Sequence, residues 1–84
     1  MDISMLNWGH RAANGVLYSC IATRELINGK ETAQRVSATN METGEVIDLP
    51  EVTLKGSEKM HAGEEIKRRI ESHLDHAAPP RISG

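Results

Sequence analysis

Phenylalanine is absent from this 84-residue chain, and tryptophan, tyrosine and cysteine occur once each. So few rings exclude the aromatic platform on which single-strand binders stack successive bases. They also thin the core. Leu, Ile, Val and Phe together number 17, near the one-fifth level at which folding and disorder compete. A domain of this size buries only about 60 to 65% of the surface its unfolded chain exposes, so a second subunit would supply burial that one small core lacks. The single cysteine forbids an intrachain disulfide. Neither charge sign dominates: ten Lys and Arg stand against twelve Asp and Glu, for a net charge of -2. That balance offers phosphates no long-range attraction, which disfavours nucleic acid as a partner, and it is too small to keep the chain disordered. No apolar run approaches the roughly 20 residues needed to cross a bilayer, so no membrane role is expected. The opening "MDISMLNWGHRAANG" lacks both a basic segment and a long apolar run, and the expected location is cytoplasmic.

Turn chemistry and periodicity are what the chain does contain. "VLYSCIAT", residues 16–23, is apolar and β-branched and lies between Asn14-Gly15 and Asn28-Gly29, two strong turn dipeptides; it reads as a strand. With Asn28 and Gly29 central in a type I′ turn, Ile27 faces Lys30, and counting outward pairs Ile21 with Val36 and Cys20 with Ser37. The second strand then covers residues 30–39. "METGE" fits a type I turn with Gly44 in the left-handed position, returning the chain as "EVIDL". Pro50 ends that strand, and "EVTLK" is a candidate short fourth strand on an edge.

Alternation along these strands assigns Val16, Tyr18, Cys20, Ala22, Ser37, Thr39, Ile47 and Leu49 to the core face. Leu17, Ser19, Ile21, Val36, Ala38, Val46 and Asp48 fall on the other. That second face is more apolar than a solvated surface needs, and Leu17, Ile21, Val36 and Val46 are the expected face of a homodimer.

Ala62, Ile66, Ile70 and Leu74 recur every four residues, with His73 and Ala77 assigned to the same stripe, so the C-terminal segment reads as an amphipathic helix. Gly56-Ser57 offers an N-cap and Pro79-Pro80 forbids continuation. Glu64 precedes Arg68 by four and Glu65 precedes Arg69 by four, so the basic run "IKRRI" is neutralised in place. The expected fold is α+β, a three- or four-stranded antiparallel meander covered on one face by a C-terminal amphipathic helix. Residues 1–78 form one domain and 79–84 a flexible tail.

Candidate chemistry is sparse, and no catalytic residue, cofactor or metal site is expected. His73 and His76 would need a third ligand from His61 or His10, and helical metal pairs more often use i, i+4 spacing. Cys20 sits mid-strand among apolar neighbours, where a thiol is structural. Asp48, Glu45 and Glu51 cannot be argued into a carboxylate pair from spacing alone. The isolated glycines form no phosphate-cradling pattern. Trp8 reads as a plug over an open end of the core.

"RELINGKETAQR", residues 24–35, carries charges around its turn with little core expected beneath it. It reads as an arm in which Leu26 and Ile27 give apolar contact to a partner while Arg24, Lys30 and Arg35 set register. The expected function is a small non-catalytic interaction or modulator protein, binding a macromolecule, another protein above all, through this arm or the exposed sheet face. The alternative is a regulatory module reading DNA through the sheet and Arg24, Lys30 and Arg35.

Overall fold

A computed structural model describes residues 3–55 and 61–80. In chain order the elements are β1 (Ile3–Arg11), β2 (Leu17–Ile27), β3 (Lys30–Asn40), β4 (Val46–Asp48), β5 (Val52–Thr53) and α1 (Ala62–Ala77). The sheet is antiparallel in the order β1-β2-β3-β4, with β5 pairing β3 farther along its length. With α1 on one face this is the α+β meander expected, extended by an N-terminal strand that the sequence reading did not assign.

Turn residues set the strand connections. Asn28 and Gly29 both have positive φ, 49° and 75°, and Ile27 faces Lys30, as a type I′ hairpin requires. Gly15 and Gly44 also take positive φ, 85° and 81°. At the first, Gly15 N–H donates to Ala12 O and Ala12 N–H to Val16 O, a tight turn that sends β1 back as β2. At the second, Asn40 Oδ1 accepts from the backbone N–H groups of Glu42 and Thr43.

The expected pairing of Ile21 with Val36 does not form. Ile21 pairs with Ser37 and Cys20 with Ala38, because β3 carries a bulge opposite Ala22, where Arg35 adopts φ 52°. The extra residue shifts the remainder of β3 by one position and so exchanges its faces. Val36, expected on the uncovered face, is 3% exposed within the core, and Ala38 follows it inward. Ser37 and Thr39, expected inside, are half-buried instead.

The core joins Tyr18, Cys20, Ala22, Val36 and Ala38 of the sheet to Ile66, Ile70 and Leu74 of α1, with Leu49, Val52 and Leu54 closing the side beyond β3. Small Cys20, Ala22 and Ala38 leave room for a helix to settle close to the sheet, and α1 supplies the bulk. Its stripe of Ala62, Ile66, Ile70 and Leu74 is buried as expected. His73 and Ala77, assigned to that stripe, are exposed. Glu65, rather than Glu64, accepts from Arg68 as well as Arg69. The Gly56-Ser57 cap lies outside the described residues, as do residues 81–84 of the tail, whereas Pro79 O accepts a 2.7 Å hydrogen bond from Asn14 Nδ2.

Candidate protein-docking surface

The register aligns residues in rows across the face of the sheet opposite α1. One row runs Asn7, Ile21, Ser37, Asp48; the next Gly9, Ser19, Thr39, Val46. Toward the arm follow Met5, Thr23 and Gln34, and at the other end Arg11 meets Leu17. Ile3, Met5 and Val46 are more than half exposed, and Leu17 and Ile21 are 40% and 37% exposed. Between Arg11, Glu25 and Asp48 at its margins, apolar side chains on this open face alternate with the hydroxyls of Ser19, Thr23, Ser37 and Thr39. Three of the four residues expected to form a dimer face, Leu17, Ile21 and Val46, lie together there. Val36 does not.

The arm residues do not converge. Arg24 and Leu26 project to the helix side and Ile27 to the open side, because neighbours along a strand alternate. Arg24 forks onto Glu31, Nε to Oε2 and Nη2 to Oε1, both 3.0 Å. Lys30 and Arg35 are exposed, Arg35 at the bulge. The arm also has more support than expected. Thr32 and Ala33 pair with β5, Leu54 N–H donates to Glu31 O, and Ala33 and Leu54 are fully buried. Only the tip around Leu26 and the Asn28-Gly29 turn extends past this support.

A second polar grouping joins β1 to α1. His10 Nδ1 lies 3.3 Å from Glu71 Oε2 and its Nε2 3.0 Å from Asp75 Oδ1. Trp8 Nε1–H donates to the same Glu71 oxygen at 3.2 Å, and Lys67 Nζ stands 5.8 Å from the Trp8 ring centroid. These contacts latch the helix to the outer strand. His10 therefore meets carboxylates rather than His73 or His76. His76 Nδ1 instead lies 2.7 Å from Ser72 O, one turn back along α1. Trp8 is half-buried against the core, close to the plug expected. Alternation of Leu6, Trp8 and His10 just before the Asn14-Gly15 turn was the available signal for β1, since a hairpin turn needs a strand on both sides.

The reactivity of Cys20 is limited by burial. The Cys20 thiol is fully enclosed, and burial, with the nearby negative charge of Glu71, pushes its pKa up to about 11. A cavity of about 400 Å³ opens beside Pro79 and Pro80, lined by Val16, Tyr18, Glu42 and Glu45 among others. The Tyr18 hydroxyl there accepts from Asn14 Nδ2 at 3.4 Å. Among the described residues no cluster of three or more His, Cys, Asp or Glu is placed to hold a metal ion, and no helix is long and apolar enough to cross a membrane. Comparison with known proteins finds no matching family model, no matching curated protein and no matching solved structure.

Proposed function

We propose that the chain is a small non-catalytic binding module of the cytoplasm, working as a homodimer, that docks another protein on the open face of its sheet. The observation that carries this reading is the apolar patch on that face, where Met5, Leu17, Ile21 and Val46 stand exposed among neutral hydroxyls and charge is confined to Arg11, Glu25 and Asp48 around them. Charged residues are depleted from the cores of protein interfaces, and contiguous apolar surface is rarely left uncovered without a use. Phosphate recognition would need the opposite composition, and Arg24 is already committed to Glu31. A buried, protonated Cys20 is no nucleophile, which favours binding over catalysis. A lone thiol also suits a reducing compartment.

Affinity capture from native lysate tests this with the intact chain and the variants Leu17→Asp, Ile21→Asp and Leu26→Asp. The expected result is a protein retained by the intact chain and by Leu26→Asp but lost by both face variants, since a charge cannot be desolvated at an interface centre without a partner. Retention by the face variants with loss in Leu26→Asp would move the site to the arm. A micromolar DNA complex at about 150 mM salt would favour the DNA-reading alternative.

A further inference from the structure

The outer strand β1 is the sheet edge among the described residues, and its backbone groups divide between the two edges residue by residue. Val16 O accepts from Ala12 N–H on the β1 side, whereas Leu17 O accepts from Met41 N–H on the β3 side. Backbone groups alternate between the two edges of a strand, so Tyr18, Cys20, Ala22 and Arg24 direct theirs at β1. Their partners His10, Trp8, Leu6 and Ser4 spend their N–H and C=O groups on β2. The intervening residues Ile3, Met5, Asn7, Gly9 and Arg11 direct theirs outward, forming a row of donors and acceptors along the free edge.

Edges of this kind are normally protected by proline, lysine, a bulge or a short strand. The sequence ISMLNWGHR has neither proline nor lysine, places its one always-charged residue, Arg11, at the strand end, runs nine residues, and pairs with β2 without a register shift. We propose that β1 pairs antiparallel with β1 of a second copy, about a two-fold axis at Asn7, joining two sheets into one. The inference goes beyond the docking of a protein on the open face and stands whether or not that face binds one.

Self-complementarity selects this partner and this register. With Asn7 opposite Asn7, Met5 meets Gly9 and Ile3 meets Arg11, so every outward-directed residue faces another and can exchange both hydrogen bonds. A one-residue slip would set outward groups against groups already bonded to β2. A slip by one full hydrogen-bonding step would leave strand ends overhanging. Met5, 58% exposed, crosses a glycine that offers no side chain to obstruct it. On the helix side Leu6 meets Trp8, both half-buried, an aliphatic and aromatic cross-strand pair that is favourable when directly opposed. Arg11 never faces its own copy. Because the axis stands perpendicular to the sheet, both helices lie on one side, and the two open faces become one continuous surface.

The test is the solution mass of the full chain at micromolar concentration, read together with amide hydrogen exchange. The expected mass is twice 9.2 kDa, with Met5, Asn7 and Gly9 amides protected alongside those of Leu6, Trp8 and His10. Asn7→Pro removes an outward N–H without touching the β1–β2 ladder, and should return the mass to that of one chain. Leu17→Asp and Ile21→Asp should leave the dimer intact. A single-chain mass for the unmodified protein overturns the proposal, as does a dimer whose Met5, Asn7 and Gly9 amides exchange freely. A dimer that survives Asn7→Pro but separates in Ile21→Asp overturns it in favour of face-to-face packing. Should Asn7→Pro fail to fold, the exchange pattern of the unmodified chain decides alone.

Discussion

Both faces of one sheet carry apolar residues, and these meet opposite fates. Besides Tyr18 and Val36, the buried residues on the covered face of β2 and β3 are small, with Cys20, Ala22, Ala33 and Ala38 fully enclosed against the bulk of Ile66, Ile70 and Leu74. On the open face Ile3, Met5, Leu17, Ile21 and Val46 are large and exposed, separated by hydroxyl side chains. Apolar content alone therefore does not identify the core. What distinguishes the faces is size matching, because a helix needs small residues beneath it to approach closely, while large side chains set at intervals are accessible to a partner surface.

Truncation should separate the two faces most sharply. Ile70→Ala removes bulk from a fully enclosed site, and should cost about 2 to 5 kcal/mol by transfer and cavity terms together. Ile21→Ala, on the open face, should cost about 0.5 kcal/mol or less in the monomer. Denaturant midpoints at matched slopes check both. Equal losses at the two positions would mean that the open face is covered in solution.

The next largest effect belongs to Cys20. Its pKa is raised in the folded chain to about 11, so below the ordinary thiol pKa both states hold the proton and stability is complete. As pH rises from about 8.5 toward 11 the unfolded state ionises first, and stability should fall by up to about 3 kcal/mol. Cys20→Ala should flatten that part of the curve without altering the profile near neutrality. Unfolding curves of the two proteins across the alkaline range provide the comparison. An unchanged slope in the variant would show that the thiol is not sealed in the core.

At the arm the expected effects are smaller. Arg24 and Glu31 form a forked ion pair with side chains 35% and 17% exposed, a setting in which truncation to Ala costs about 1 kcal/mol or less. Arg24→Ala should therefore shift the denaturant midpoint slightly, and more at low salt than at high salt. If the open face is the docking surface, partner affinity should not change.

Much of the architecture was legible because turns and periods are local signals. Asn28-Gly29 defined the hairpin, Gly44 the next turn, and the four-residue spacing from Ala62 to Leu74 the helix face. Two features were less legible for different reasons. β1 alternates clearly only at Leu6, Trp8 and His10, and its partners for side-chain hydrogen bonding, Glu71 and Asp75, lie more than sixty residues away. The bulge at Arg35 has no glycine to announce it, so straight counting from the turn exchanged the faces beyond it. That one position moved Val36 from the expected dimer face into the core, and left Leu17, Ile21 and Val46 as the part of the expected face that is exposed.

Arg35 accordingly supports the finest prediction. A non-glycine residue at φ 52° carries roughly 1 kcal/mol of backbone strain, because its Cβ crowds the neighbouring carbonyl. Glycine removes that crowding but gives the unfolded chain more freedom, so Arg35→Gly should stabilise by about 0.5 to 1 kcal/mol at most. The pairings of Ile21 with Ser37 and of Cys20 with Ala38 should persist, and Val36 should remain enclosed. A measurable loss of stability instead would mean that the Arg35 side chain, and not only its backbone, holds the bulge. Retained stability with Val36 newly exposed to solvent would mean that the bulge is not what turns β3, and the division between covered and open faces would then need another cause.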